Sequence, residues 1–209
     1  MKKSDAAGRA RKGSKEQSLA FSLAPIDVRG RRKTLKRRSK HEKHWSLPES
    51  LLQELTHARP FAPPLEHGSA LRESGALVFR QIKRRAPEIM LISTKKLKKW
   101  GIPKGRIPAH LSFAENAAKE AYEEAGVVGF VVTDAVAMYR DTKRSANPQL
   151  RIIMEVWVYL LEATATLSRW PERHKRVVKW VPCEAAAILL RQPVLAQLCL
   201  RLGQSHSPE

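Results

Sequence analysis

Gly105-Arg-Ile-Pro-Ala-His-Leu-Ser-Phe-Ala-Glu-Asn-Ala-Ala-Lys-Glu-Ala-Tyr-Glu-Glu-Ala-Gly-Val127 is the stretch from which the architecture of this 209-residue chain is read. Ser112 and Glu115 form an S-x-x-E capping box, Asn116 to Ala125 holds no breaker, and Gly126 stands where a left-handed residue stops a helix. The spacing predicts a helix with both ends defined. Ala114, Ala117, Ala118, Ala121 and Ala125 give it a small apolar face that can pack closely on a sheet. On a helix advancing about 100° per residue, Glu124 lies about 40° from Glu120 and Glu123 about 60° to the other side. Three carboxylates therefore share one arc of an exposed face. Like charges at i,i+4 repel by a few tenths of a kcal/mol, and a divalent cation reverses that sign. Ligation by a few carboxylates, completed by water and substrate phosphate, is what Mg²⁺ favours, with Mn²⁺ the second candidate.

An acidic helix face is also common as plain solvated surface, so the neighbouring residues decide. No acidic residue occurs from Ile89 to Ala114, while Lys95, Lys96, Lys98, Lys99, Lys104 and Arg106 cluster just ahead of the helix. A cationic loop beside a carboxylate cluster suits a polyphosphate whose oxygens meet both the metal and the lysines.

Outward from the helix, Ser74 to Arg80 and Glu88 to Ser93 read as two strands joined by a turn over Gln81 to Pro87. Val127 to Val132 and Ala135 to Tyr139 read as strand, Leu150 to Leu161 as a long strand buried on both faces, and Arg176 to Val181 as the last strand. Pro182 opens a helix through Leu190, and Pro193 opens another to Gly203. Upstream, Ser46-Leu-Pro-Glu49 is a second capping box opening a short helix with Leu51, Leu52 and Leu55, which ends by Ala58 before Pro60, Pro63 and Pro64. This order predicts an α/β fold with a mixed sheet between helical layers. The expected division is a tail over 1–44, a short helix and proline-rich linker over 45–69, one domain over 70–203 and a C-terminal tail over 204–209.

Lys and Arg number 39 against 20 Asp and Glu, a net charge of +19, and 43% apolar residues suffice to fill one core. Residues 1–44 hold 15 of the basic and 4 of the acidic residues. The run from Arg29 to Lys40 has too few apolar groups to repay ordering entropy, so a disordered basic N-terminal tail is expected. With no aromatic residue in that run, it suits an electrostatic arm for RNA or another polyanion, or a solvated extension, rather than a base-stacking surface. Two cysteines make no disulfide framework, and a reducing, cytoplasmic location is expected. No signal peptide or membrane span is read, because the apolar stretch from Ser18 to Ile26 is too short.

On these residues the sequence resembles the Nudix hydrolases, whose box is G-x5-E-x7-R-E-U-x-E-E-x-G-U, with U aliphatic. Gly105, Glu120, Glu123, Glu124, Gly126 and Val127 fall in register, Ala121 serves at the first U, and the Trp100-Gly-Ile-Pro-Lys-Gly105 lead-in is similar as well. Trp170, Arg176, Trp180, Val181 and Pro193-Val-Leu-Ala-Gln197 resemble the diphosphoinositol polyphosphate phosphohydrolase branch. The resemblance covers roughly residues 70–202 and implies a Nudix-type α/β/α sandwich. It implies a Mg²⁺-dependent pyrophosphohydrolase of a dinucleoside polyphosphate, a diphosphoinositol polyphosphate or a related nucleotide. Glu120 and Glu124 would be the primary metal ligands, and Glu123 a ligand or the general base. Lys95, Lys96, Lys104, Arg106 and, on the long strand, Arg151 would hold the non-reacting phosphates, and Tyr139 is a candidate to stack on an adenine. Leu111 stands where the box has its first Glu, and Lys119 where it has Arg. The first departure bears on any second metal, and the second keeps a positive charge without the planar bidentate contact. A Nudix-fold protein of weak or no activity that binds RNA or another polyanion is the alternative expectation. Oligomeric state is left open by the sequence.

Overall fold

β1 (Leu71–Ile82) and β7 (Arg151–Thr166) run side by side in parallel, from Leu71 opposite Met154 to Phe79 opposite Glu162, in a computed structural model that describes residues 46–57, 70–94, 99–144 and 151–204. The expected basic tail over 1–44 and nearly all of the expected C-terminal tail lie outside the described residues. Every residue from Glu73 to Phe79 is buried. A strand covered on both faces cannot alternate with polar residues, which is why Ala76-Leu-Val-Phe79 and Val158-Tyr-Leu-Leu161 read as unbroken apolar runs.

The remaining ladders are antiparallel. β2 (Arg85–Thr94) returns along β1, and β8 (Arg176–Pro182) takes the other edge of β2, from Glu88 opposite Pro182 to Thr94 opposite Arg176. The outer edge of β7 is shared by β6 (Ala137–Arg144) and β5 (Val127–Val131). Among the described residues, two short strands complete an eight-stranded mixed sheet: β3 (Trp100–Gly101) on β2, and β4 (Lys104–Arg106) on the first half of β1. The turn between β1 and β2 is tighter than the span expected over Gln81 to Pro87. Ile82 pairs with Arg85, so only Lys83 and Arg84 turn, with Arg84 at φ 58°. Neither residue is a usual left-handed turn former, so Pro87 was the only visible punctuation. Pro87 stands just before the β8 ladder begins, where a missing N–H is tolerated, and its carbonyl accepts from the Cys183 thiol at 3.1 Å.

α2 (Phe113–Ala125) lies on β1 and β5 with Ala117, Ala121 and Ala125 fully buried. Its ends are those expected. Glu115 N–H donates to Ser112 Oγ at 3.2 Å and Ser112 N–H to Glu115 Oε2 at 2.9 Å. Gly126 has φ 68°, and a Cβ there would stand 2.6 Å from the Trp170 ring, so the position excludes side chains twice over. α3 (Cys183–Leu189) and α4 (Pro193–Gln204) pack on each other and on β2, burying Ala186, Leu195, Leu198 and Leu202. The result is the expected α/β/α sandwich with a mixed sheet. Cys183 and Cys199 are buried free thiols, each pushed up to about 12 by burial.

α1 (Glu49–His57) begins one turn after the Ser46 expected to cap it. Ser46 N–H donates to Glu162 Oε2 at 3.1 Å, and the Pro48 carbonyl accepts from Leu51 and Leu52. Leu47, Leu52 and Leu55 join the same hydrophobic core as the sheet, and Arg201 of α4 pairs with Glu54. No helix among the described residues is long and apolar enough to cross a membrane.

Candidate catalytic site

β4 lies across the edge of β1 and brings the chain from Lys104 to Arg106 against α2. Asn116, fully buried on α2, holds it there: its Nδ2 donates to Ser74 Oγ at 2.9 Å and to the Gly105 carbonyl at 3.2 Å. The approach is so close that a Cβ on Gly105 would stand 2.5 Å from the Glu120 carboxyl carbon. The glycine that opens the box is therefore there to leave room for a carboxylate. The Lys104 N–H donates to Glu124 Oε2 at 3.0 Å, and its ammonium to Glu73 Oε2 at 2.5 Å.

A second segment closes the other end of α2. Leu167 N–H donates to the Gly126 carbonyl at 2.8 Å and Glu172 N–H to the Glu123 carbonyl at 2.9 Å, while Trp170 packs over Gly126. This fixes the start of β8. Arg176 donates through Nη2 to Glu124 Oε1 and through Nε to Glu172 Oε2 at 3.0 Å.

The three helix carboxylates thus share a side of α2 but not one environment. The expectation that Glu124 lies on an exposed face is corrected: it is 6% exposed, because β4 and the 167–176 segment cover the last turn of the helix. Glu120 is partly buried, and burial pushes its carboxyl above the ordinary range, with Lys119 opposing and Glu123 and Glu172 adding to the rise. Glu123, with its side chain 37% exposed, accepts from Lys119 at 2.5 Å, and Lys119 also reaches Glu120 at 3.2 Å. Burial would lower the Lys119 pKa, but the two carboxylates outweigh it and hold the ammonium above its usual value. Lys119 so occupies the place of the box Arg as a charge shared between two acids.

As donors, Glu120 and Glu124 are hard oxygens one helical turn apart, which fits Mg²⁺ or Mn²⁺ in kind. Both oxygens of Glu124 are engaged, however, and among the described residues no three His, Cys, Asp or Glu side chains gather as a metal group. The donor chemistry fits the cation; the present pairing of Glu124 stands in its way.

Of the residues expected to hold phosphate, Lys104 lies in the site. Arg106 is exposed at the end of β4, and Arg151 is exposed at the start of β7, opposite Arg144. Lys95 and Lys96 lie outside the described residues. Tyr139 is buried, so it offers no free face to an adenine. Sequence reasoning missed Glu73, Lys143, Asn116, Glu172 and the role of Arg176 as an ion-pair partner. Asn116 is part of α2 itself, whereas the others meet only through the fold: Lys143, on β6, donates to Glu73 Oε1 at 2.5 Å across 70 residues of chain.

The NUDIX domain family model matches residues 71–199. Nudix hydrolase 16, mitochondrial, of Arabidopsis thaliana is 28% identical over 139 residues, which cover 61% of this chain and 76% of that protein. Nudix hydrolase 4 of the same plant is 29% identical over 105 residues, covering 50% of this chain and 48% of that one, so this chain spans only about half of that relative. Among solved structures, the NUDIX domain of Shewanella oneidensis NrtR complexed with ADP ribose is similar in fold, with a TM-score of 0.50 at 16% identity over 70% of this chain and 94% of that one.

Proposed function

The chain belongs to the Nudix family of phosphoanhydride hydrolases, and from that premise we propose that it is a Mg²⁺-dependent pyrophosphohydrolase acting on a diphosphate-linked substrate. The observation that carries this reading is the opposition of Glu120 and Glu124 on the box helix to Lys104 and Gly105 on β4. Glu120 and Glu124 would hold the divalent cation, Mg²⁺ or else Mn²⁺. When bound, that ion neutralises phosphate charge and acidifies a water. Glu123, the most exposed of the three, is placed to take the proton of an attacking water or to serve as a further ligand. Lys104, Arg106 and Arg151, with Lys95 and Lys96 earlier in the sequence, would orient the non-reacting phosphates, so that positioning and charge neutralisation supply most of the rate.

The test is release of cleavage products, two phosphate-bearing fragments or, from a diphosphoinositol phosphate, inorganic phosphate, resolved by anion-exchange chromatography across dinucleoside polyphosphates, diphosphoinositol phosphates, ADP-ribose, other nucleotide sugars and capped RNA, with and without Mg²⁺ or Mn²⁺. Metal-dependent release from at least one is expected. Silence across the panel with both metals would favour the second reading, a Nudix-fold binder of RNA or another polyanion, for which the observation is Leu111 in place of a box carboxylate.

Leu111 sits in the turn ahead of α2, with its N–H on the Pro108 carbonyl at 3.1 Å and its side chain only partly buried. Leu111→Glu is therefore tolerated sterically, and it should raise turnover or shift the Mg²⁺/Mn²⁺ optimum. A protein that only binds would show neither change.

We propose for the tail a separate, electrostatic role. Deleting residues 1–44 removes 15 cationic side chains and should flatten the slope of log affinity against log salt on RNA, since counterion release scales with phosphates neutralised. Turnover of a small substrate should stay within about threefold. Equal slopes would make the tail a passive extension. Cytoplasmic residence is likewise proposed, against the mitochondrial address in the names of several relatives, and imaging of the full chain separates the two.

A further inference from the structure

We infer that Arg176 is a built-in competitor of the metal: its guanidinium holds the Glu124 oxygen that a divalent cation needs, offsets the Glu124 charge while no metal is bound, and must step aside onto Glu172 for the cation to bind. The inference rests on the metal-dependent reading above. It starts from burial. Glu124 is nearly sealed between β4 and the 167–176 segment, and an ionised carboxylate so placed is costly unless donors or a cation reach it. Arg176 and the Lys104 N–H meet that demand together, one on each oxygen.

Arg176 does not reach Glu124 as a loose surface side chain. It is the first residue of β8, opposite Thr94, and the segment before it is tied to the end of α2 by the hydrogen bonds of Leu167 and Glu172 and by Trp170 over Gly126. The guanidinium is partly buried, its side chain 22% exposed, and forked, Nη2 on Glu124 and Nε on Glu172. This fork gives it two stations. A divalent cation and a guanidinium on one carboxylate repel each other at short range in a poorly solvated site, so the two occupancies of Glu124 exclude one another. Glu172 remains as the partner of the displaced arginine, since a rotation that releases Nη2 need not break the Nε contact. Lys119 acts similarly between Glu120 and Glu123, but it is more exposed and can turn to water. The consequence is a site whose affinity for metal is set lower than its carboxylates alone would give, with metal entry coupled to the 167–176 segment.

The experiment is titration of the full metal-free chain with Mn²⁺, following free ion by electron paramagnetic resonance, for wild type, Arg176→Gln and Arg176→Lys. Arg176→Gln should bind Mn²⁺ at least about tenfold more tightly than wild type. Without metal it should melt at a lower temperature than wild type, and Mn²⁺ should restore more of its stability than it adds to wild type. Arg176→Lys keeps the charge but cannot fork between Glu124 and Glu172, so it should fall between the two, at about two- to threefold tighter binding. That variant decides the question if Arg176→Gln does not fold. Equal or weaker Mn²⁺ binding by the variants, with wild type binding normally, overturns the competition and leaves the metal reading standing. No Mn²⁺ binding by wild type and folded variants alike overturns the metal reading, and the competition with it.

Discussion

Glu124→Gln and Glu120→Gln are each expected to lower turnover by at least about a hundredfold, and their effects on stability should differ. Glu124 is buried between the Lys104 N–H and Arg176. Its amide replacement still accepts from Lys104 but gives up the charge that faces the guanidinium. Arg176 keeps Glu172, so the loss should be modest, about 1–2 kcal/mol, rather than the larger cost of a wholly stranded buried charge. Glu120 is the opposite case. Burial disfavours its charge and holds the carboxyl above its ordinary value, so ionising it costs more in the folded protein than in the unfolded chain. Glu120→Gln should therefore leave the melting temperature unchanged or slightly higher while abolishing most activity. Glu115→Gln is the control, because a glutamine still completes the capping box and Glu115 faces Ser112 rather than the site. Turnover and thermal melting of the three variants settle it. Equal loss of activity in all three at unchanged melting temperature would place the catalytic carboxylates elsewhere.

What the sequence disclosed and what it hid divide along the range of the contacts. The caps of α2, its alanine face and the succession of strands depend on residues three or four apart, or on composition along one strand, so Ser112, Glu115, Gly126 and the run from Ala76 to Phe79 could be placed directly. The electrostatic character of each site carboxylate could not. It depends on Arg176 meeting Glu124 from 52 residues away and on Lys143 meeting Glu73 from 70 away. Both contacts follow from the register of β8 on β2 and of β6 on β7, which side-chain periodicity does not specify across a fold. The same holds for α1, whose apolar Leu51, Leu52 and Leu55 give a helix but not the wall it joins. Helical spacing put Glu120, Glu123 and Glu124 on one arc correctly, yet an arc says nothing of what covers it, and so Glu124 reads as exposed until β4 is in place.

Glu73→Gln should cost about 2–4 kcal/mol of stability at neutral pH, more than any exposed charge change in this chain. Glu73 is 1% exposed on β1, opposite Val156 of β7 and Arg106 of β4, and its two oxygens each accept a lysine ammonium at 2.5 Å. Removing its charge strands the two lysines unequally. The Lys143 side chain, 53% exposed, can turn to water, whereas Lys104 is anchored by its own backbone to Glu124 and by the β4 ladder to β1. The pH dependence follows from the same geometry. Burial by itself pushes the Glu73 carboxyl up, but the hydrogen bonds and charges of Lys104 and Lys143 outweigh it and hold the group below its ordinary value of 4.5. A carboxylate depressed in the folded state stabilises the fold above its unfolded pKa, and that contribution disappears as pH falls through the folded one. Urea unfolding of wild type and Glu73→Gln should thus show a gap that is full at pH 7 and narrows as pH falls below the ordinary carboxylate value. Activity should separate as well: Lys104 freed from Glu73 loses its fixed direction, so KM for a polyphosphate substrate should rise more than kcat falls. A stability gap that stays constant through acid would mean that the ionised carboxylate of Glu73 is not what holds the two lysines. The wall that β4 presents to α2 would then owe its place to the β1 ladder and Asn116 alone.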